Sequence, residues 1–193
     1  MSVEINPRRL QGPWADGYAL HVHTLSSTYL GDEFGHPTFD TKRSPVGELL
    51  YQLKYRNDQT AVDPLGEAAE SFVKTTWRVP IDAIVPVPPS NLRKVQPVMV
   101  VAEALAARLG IQVCTGCLTK VKRTPQLKDI TDYDKRKEVL TGAFAVAPDL
   151  TAGKTLLLFD DLHGSGATVA YIVELLKNTG RAKAVYLLTL TMK

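Results

Sequence analysis

Two adjacent carboxylates stand beside a turn of small residues near the end of the chain. Asp160 and Asp161 follow the apolar run 155–159, and the turn comprises Gly164, Ser165, Gly166, Ala167 and Thr168. Glycines in such a turn let successive backbone N–H groups converge on an anion, and a helix that follows adds the positive end of its dipole. The serine and threonine hydroxyls are further donors on the same rim. The segment therefore places an anion-binding cradle next to two carboxylates.

This combination indicates a ligand with a phosphate at one end and with hydroxyls or a hydrated cation at the other. Mg²⁺ typically binds one or two carboxylates together with waters and substrate phosphates, so Asp160 and Asp161 are candidate Mg²⁺ ligands, directly or through water. Alone, an acidic pair after a strand is usually a turn that caps the next helix. The attached Gly-Ser-Gly-Ala-Thr segment favours the binding hypothesis.

The segments around this loop alternate between strand-like and helix-like patterns. We predict strands over 81–87, 111–114, 155–159 and 184–190, and helices over 98–109 and 169–176. This order predicts a parallel sheet with right-handed crossovers, in which ligands bind at the carboxyl ends of the strands. The predicted fold class is therefore α/β, a parallel sheet with flanking helices.

The N-terminal part of the chain is expected to form a hairpin and helices that cover this core. Alternating apolar residues in 18–22 indicate a strand, and 39–41 is expected to be its return strand. Residues 46–53 have the periodicity of an amphipathic helix. Asp63 is expected to cap a second helix that ends near Trp77.

Length and composition favour one domain, with residues 1–80 as a hood and 81–193 as the core. The chain has 193 residues, of which 45% are hydrophobic and 22% charged, so a packed core is expected. We find neither an apolar run of membrane-spanning length nor a secretory signal. Two cysteines imply no disulfide framework, and a cytoplasmic location is expected. The formal charge of +3 is too small to indicate nucleic-acid binding.

The stretch from Leu156 to Thr168 resembles the signature with which type I phosphoribosyltransferases bind 5-phosphoribosyl pyrophosphate (PRPP). The resemblance implies a Rossmann-like variant of the α/β fold that needs Mg²⁺. It also implies that Asp160 and Asp161 hold the ribose hydroxyls. The residues implied for the 5-phosphate are Gly164, Ser165, Gly166, Ala167 and Thr168.

Three further segments resemble the ComF-type, competence-protein-like branch of that family: 53–56, 84–88 and 123–126, the last with Arg136 and 142–144 downstream. The resemblance implies a diphosphate loop and a lid over PRPP. The residues implied are Pro88, Ser90, Asn91, Arg93, Lys94, Lys54, Arg123 and Gln126. Two plainer interpretations stay open: a proline-rich turn with solvated bases, and a solvated helix end at Lys54.

The expected activity is transfer of the 5-phosphoribosyl group from PRPP to a nitrogenous base or related acceptor, with release of pyrophosphate. A homodimer is expected as well. Gly164 stands where salvage enzymes for 6-oxopurines usually carry an aspartate, which argues against a hypoxanthine-guanine activity. The alternative is a non-catalytic PRPP- or nucleotide-binding protein, ComF-like, with an accessory or regulatory role such as DNA uptake.

The cysteines and histidines are expected to have no functional role. Cys114 and Cys117 have redox or half-zinc spacing, but the sequence offers no second cysteine pair. His21 and His23 alternate with the apolar residues of their strand and are expected to face solvent. His163 is expected to be a solvated loop residue, with contact to the acceptor or leaving group as the alternative.

Overall fold

The computed structural model describes residues 3–89, 93–122, 124 and 133–193, without the side chains of Tyr133, Asp134, Arg136 and Lys137. Its centre is a six-stranded sheet in the order β1-β2-β10-β9-β5-β6. All neighbours pair in parallel except β1 with β2. The bounds are β1 Arg8–Arg9, β2 Gly17–Val22, β5 Ala83–Pro86, β6 Gln112–Val113, β9 Thr155–His163 and β10 Ala184–Met192. The predicted parallel α/β sheet is confirmed.

Helices cover both faces of this sheet, and the alternating residues of β9 contribute to the core on each face. Successive residues of a strand point to opposite faces. Leu157 and Phe159 therefore join the core beneath the first three helices, whereas Leu156 and Leu158 join the core beneath the last helix. The first three helices are α1 Pro45–Tyr51, α2 Val62–Thr76 and α3 Pro97–Leu109, and the last, α6, is Ala167–Asn178.

Short elements complete the fold. A π-helical turn, Gln52–Arg56, continues α1, and a 3₁₀ turn, Gln59–Ala61, precedes α2. Two separate antiparallel pairs are β3 Thr24–Glu33 with β4 His36–Arg43, and β7 Leu118–Lys120 with β8 Phe144–Val146. The remaining helices are α4 Tyr133–Leu140 and α5 Pro148–Thr151. Within the described ranges, no helix has the length and apolar character needed to cross a bilayer.

The predicted pairing of 18–22 with 39–41 is wrong. Residues 17–22 form β2, which runs parallel to β10 in the central sheet, with Ala19 opposite Thr189. The hairpin instead uses β3 and β4. Ala19 and Leu20 are both fully buried, so this strand is covered on both faces. The alternation of residue types identified a strand but not its partner, and the core sheet takes two strands from the segment assigned to the hood.

The predicted helices are present, and one of the expected caps is wrong. Asp63 lies inside the first turn of α2, and Asp58 caps the preceding 3₁₀ turn by accepting a hydrogen bond from the Thr60 N–H. Trp77 ends α2 as expected. Gly110 ends α3 with φ +68°, a backbone conformation that glycine adopts without steric cost.

The expectations for the cysteines and for two histidines are also corrected. Cys114 and Cys117 are joined by a disulfide across a four-residue turn after β6. His21 is only 7% exposed, and its Nδ1 accepts a hydrogen bond from the Val22 N–H. His23 is half-buried, with Nδ1 3.2 Å from the Thr191 hydroxyl. The cysteine pair therefore gives no support for a reducing compartment, and the cytoplasmic location stays a prediction.

Candidate functional site

A cleft of 530 Å³ opens at the carboxyl ends of the central strands. Parallel strands present their carboxyl ends at one edge, and the loops that follow β5 and β9 form the walls here. Many of the predicted site residues line this cleft together, although they lie far apart in sequence. They are Lys54, Pro88, Arg93, Asp160, Asp161, Gly164, Ser165, Gly166 and Thr168.

The acidic pair belongs to β9 itself, because the strand continues to His163. Asp160 lies opposite Thr189 of β10, and the Asp161 N–H donates to the Asp160 carboxylate at 2.8 Å. The alternation of a strand directs the two side chains to opposite sides. Asp160 shares the side of α6, and Asp161 that of the first three helices.

Lys54 holds the second carboxylate. Its Nζ lies 2.6 Å from the Asp161 carboxylate, and the side chains are only 19% and 15% exposed. Lys54 belongs to the π-helical turn after α1, and such turns occur frequently at functional sites. Arg93 crosses this turn: its guanidinium donates to the Lys54 carbonyl at 3.4 Å and lies 5.3 Å from the centre of the Tyr55 ring. The π-helical turn therefore places Lys54 against Asp161 and the Arg93 guanidinium next to Lys54.

The environment of Asp160 disfavours its charged form. Burial, followed by the negative charge of Asp161, raises the pKa of Asp160 to about 8. The hydrogen bond from the Asp161 N–H and the charge of Lys54 act in the opposite direction. Asp160 is therefore protonated more readily than an ordinary aspartate in the free protein. A bound cation or a pair of donor hydroxyls would favour its ionised form.

The turn after β9 is shaped by Gly166. Its φ is +77°, and a Cβ at this position would lie 3.0 Å from the His163 ring. Gly164 has no such constraint, because among the described residues none other than its chain neighbours lies within 4 Å of a Cβ built there. Helix α6 starts at Ala167, so its first N–H groups lack intrahelical partners at a helix end that borders the cleft. Ser165 is exposed and Thr168 half-buried on the same rim.

His163 is not a solvated loop residue, and that expectation is wrong. It is the last residue of β9, and its ring meets the Trp14 ring edge-on with centroids 6.0 Å apart. Burial lowers its pKa, which favours the neutral imidazole. Among the described residues no group hydrogen-bonds to its buried Nδ1. Because His163 also lines the cleft, it borders the site.

The remaining predicted contacts fall into two groups. Lys94 is exposed and Ala167 is buried at the start of α6, and neither lines the cleft. Ser90, Asn91, Arg123 and Gln126 lie outside the described residues. Sequence reasoning missed Gln96 and Lys193, which line the cleft as well. No motif marks either residue; only the predicted start of α3 placed Gln96 near the sheet edge.

The donors at this site are compatible with Mg²⁺ bound in part by a ligand. In the described part of the chain no three His, Cys, Asp or Glu side chains cluster as a metal site would require. Mg²⁺ held through one or two carboxylates, waters and substrate phosphates does not need such a cluster. Asp160 fits this role chemically, because its carboxylate lines the cleft and forms no ion pair with any cation in the described part of the chain. Asp161 already has Lys54.

Comparisons with known proteins identify the fold. No protein-family model and no curated protein matches the sequence. Adenine phosphoribosyltransferase from Saccharomyces cerevisiae, in complex with an imino-altritol bisphosphate and adenine, superposes with a TM-score of 0.51 at 14% identity, over 88% of this chain and 85% of that one. The glutamine PRPP amidotransferase of B. subtilis gives 0.49 at 15% identity, over 78% of this chain and 33% of that one.

The chain has the fold of the type I phosphoribosyltransferases. At this identity the likeness shows the fold alone, and the activity has to be argued from the site.

Proposed function

We propose that this chain is a phosphoribosyltransferase that binds PRPP in the cleft and transfers its 5-phosphoribosyl group to a nitrogenous base or related acceptor, releasing pyrophosphate. One observation carries the proposal. A single cleft is bordered by the adjacent Asp160 and Asp161 and by the open N-terminus of α6. PRPP has the matching chemistry, with a phosphate on one carbon of a ribose whose hydroxyls lie a few ångströms away.

The 5-phosphate is assigned to the start of α6. The unpaired N–H groups and the helix dipole favour an anion there. The hydroxyls of Ser165 and Thr168 add two donors. Gly166 keeps the rim open, since any side chain at that position would meet His163. This end of the ligand does not change during transfer, so its contacts contribute to binding more than to turnover.

The ribose hydroxyls are assigned to Asp160 and Asp161. Each hydroxyl donates to a carboxylate oxygen, and this interaction favours the ionised form of Asp160 that the free protein disfavours. Lys54 keeps Asp161 in place through their ion pair. As pyrophosphate leaves C1, the ribose takes on the positive charge of an oxocarbenium-like transition state. Two carboxylates beside the ring then stabilise it more than they stabilise the ground state.

The diphosphate is assigned to the wall formed by Pro88, Arg93 and Lys54. Arg93 and Lys54 neutralise part of the charge on the leaving group. Asp160 and Asp161 would hold Mg²⁺, directly or through water, and the ion would supply further neutralisation of the diphosphate. Ser90, Asn91, Arg123 and Gln126 stay assigned to the diphosphate loop and the lid, whereas Lys94, which does not line the cleft, is left out. A lid that closes over PRPP would exclude water from the reaction.

The first experiment is thermal denaturation with PRPP, with and without Mg²⁺, and with nucleoside monophosphates. A ligand that binds only the native state stabilises it by RT ln(1 + [L]/Kd), about 2.7 kcal/mol at a hundred times Kd. We expect a rise in Tm with PRPP that Mg²⁺ enhances. If millimolar PRPP leaves the Tm unchanged, the proposed site is wrong.

The second experiment measures pyrophosphate release from PRPP with a panel of purines, pyrimidines and other amines. Thr168→Ala and Ser165→Ala are expected chiefly to raise KM, whereas Asp160→Asn and Asp161→Asn are expected to lower kcat. Binding of PRPP without release of pyrophosphate under any acceptor would instead support the non-catalytic, ComF-like alternative.

A further inference from the structure

The disulfide between Cys114 and Cys117 closes the turn after β6, and its two cysteines differ in their access to solvent. Cys114 is partly exposed, and Thr115 and Gly116 between the cysteines are exposed. Cys117 is fully buried in the core beneath α6. A thiol from solvent therefore approaches the pair from the side of Cys114, because thiol–disulfide exchange depends on access to the sulfur that is attacked.

The surroundings of Cys117 also suit the reduced state. Its Sγ lies 3.7 Å from the carbonyl oxygen of Leu150. A disulfide sulfur has no hydrogen to donate, whereas a thiol at this position has one that the carbonyl can accept. Reduction therefore leaves the buried sulfur with a hydrogen-bond partner.

The disulfide closes a short loop, since the two cysteines are only three positions apart. A cross-link stabilises the folded state mainly by restricting the unfolded chain, and a short loop gives less of this stabilisation than a long one. Breaking this disulfide therefore costs the fold less than breaking one that closes a long loop. The protein can be reduced at this turn and stay folded.

The turn is connected to the cleft through β7 and β8. Cys117 leads directly into β7, and its carbonyl accepts a hydrogen bond from the Ala147 N–H at 3.1 Å. β7 pairs with β8 so that Lys120 lies opposite Phe144. Phe144 lines the cleft, so a displacement of β7 is transmitted to the cleft wall.

Reduction changes the shape of this turn, because two thiol sulfurs cannot lie as close together as two bonded sulfurs. Cys114 is fixed to the central sheet, since its N–H donates to the Ile84 carbonyl of β5 at 2.8 Å. The widening is therefore taken up at Cys117 and at the start of β7. From β7 the chain continues to Arg123 and Gln126, which we assign to the lid.

We propose that Cys114 and Cys117 are a redox-active pair that exchanges with a low-molecular-weight thiol, and that reduction of the pair loosens β7 and β8 and weakens the binding of PRPP. The effect on PRPP rests on the proposed function, whereas the exchange itself and the loosening of the strands do not.

The exchange takes two steps. A thiolate attacks the Cys114 Sγ and forms a mixed disulfide with it, while Cys117 leaves with the electron pair of the broken S–S bond and takes up a proton. A second thiolate then attacks the external sulfur of the mixed disulfide and releases Cys114, which is protonated in turn. Two small thiols are thereby oxidised to one disulfide, and the protein disulfide is reduced to two thiols.

The first test uses single variants and oxidised glutathione. In Cys117→Ser the remaining thiol is the accessible one, and the intact mass should increase by one glutathione per chain. In Cys114→Ser, the matched control, the remaining thiol is buried and should react about tenfold more slowly. Circular dichroism checks that both variants are folded.

Wild-type protein is then equilibrated with graded ratios of reduced to oxidised glutathione and alkylated. The mass of the products should show one two-electron transition between disulfide and dithiol, with an unchanged circular dichroism spectrum.

The second test compares oxidised and reduced wild type. Amide hydrogen exchange should show lower protection of β7 and β8 in the reduced protein, with β9 and β10 unchanged. PRPP with Mg²⁺ should bind the reduced protein about fivefold more weakly, at the low end of the usual coupling between two sites. The double variant with Cys114→Ser and Cys117→Ser should bind PRPP as the reduced protein does and should not respond to glutathione.

Three results would overturn the proposal: a wild-type pair that is reduced only when the protein unfolds, equal reaction of the two single variants with oxidised glutathione, or a reduced protein that keeps the protection of β7 and β8. Equal PRPP affinity of the two redox states would overturn the coupling to the cleft. Absence of PRPP binding in both states would contradict the proposed function, and amide exchange, which needs no PRPP, would still decide whether reduction loosens the two strands.

Discussion

Asp160→Asn tests the electrostatics of the site without any ligand. Asparagine has almost the same shape and keeps an oxygen to accept the Asp161 N–H, so the variant removes only the titration. The folded-state pKa of Asp160 is raised to about 8 by burial and by the charge of Asp161. In the unfolded chain an aspartate has its ordinary pKa, about 3.9. Between these values the native state holds a proton that the unfolded state has lost.

The sign of the effect follows from this difference. The free energy of unfolding falls with pH wherever the native state binds more protons. The contribution of Asp160 is fully present below its unfolded-state pKa and is lost as pH rises through about 8. Each pH unit is worth about 1.4 kcal/mol, so from pH 6 to pH 8 the loss is about 2 kcal/mol. For a domain of this size that corresponds to a fall in Tm of about 4–8 °C.

The assay is the difference between the Tm of wild type and that of Asp160→Asn, measured at half-unit steps across this range. The difference should favour the variant increasingly as pH rises. His23 and His163, whose pKa values are lowered by burial, titrate in both proteins and largely cancel in the difference. Ser165→Ala is the control and should follow wild type at every pH. Parallel profiles for wild type and Asp160→Asn would refute the reasoning and place the carboxyl in a solvated environment.

Three other variants test particular contacts. Lys54→Met breaks the half-buried ion pair with Asp161 and is expected to lower the free energy of unfolding by about 2 kcal/mol in urea titrations. The control is Lys74→Met, which breaks an exposed ion pair and should change the free energy of unfolding little. Equal effects of the two variants would contradict the role of Lys54. Gly166→Ala places a side chain at a positive φ and against the His163 ring, so it is expected to lower the free energy of unfolding by about 1–2 kcal/mol and to weaken PRPP binding. Gly164→Ala, the control, should leave both nearly unchanged. A Gly166→Ala variant with wild-type stability and PRPP affinity would show that the turn adapts. Replacing both Cys114 and Cys117 by serine should lower the free energy of unfolding by about 2 kcal/mol, the value for a disulfide that closes a four-residue loop. A reductant should lower the Tm of wild type but not that of this variant. A wild-type Tm that does not respond to the reductant would show that the disulfide is not formed in solution.

The sequence was sufficient to predict the central elements and to single out several residues that line the cleft. The run 155–159 is apolar at every position after Thr155, so it predicted a strand buried on both faces, and it forms the first part of β9. The glycine and hydroxyl residues that follow predicted an anion-binding turn, and helix α6 does begin there. Gly110 predicted the end of a helix because its conformation is a local property. Such patterns act within a few residues, and one sequence displays them directly.

What the sequence left undetermined depends on residues that are distant along the chain. Lys54 and Asp161 form their ion pair across 107 positions, and only the packing of α1 and its π-helical turn against the sheet brings them together. The pattern of residues 17–22 predicted a strand, but only the folded structure shows that this strand pairs with β10 and not with a strand of the hairpin. His163 and Asp160 acquire their lowered and raised pKa values from burial, which exists only in the folded protein. Local periodicity determines backbone conformation. Strand partners, ion pairs and proton affinities depend instead on long-range contacts and on the exclusion of water, which arise only when the chain is packed.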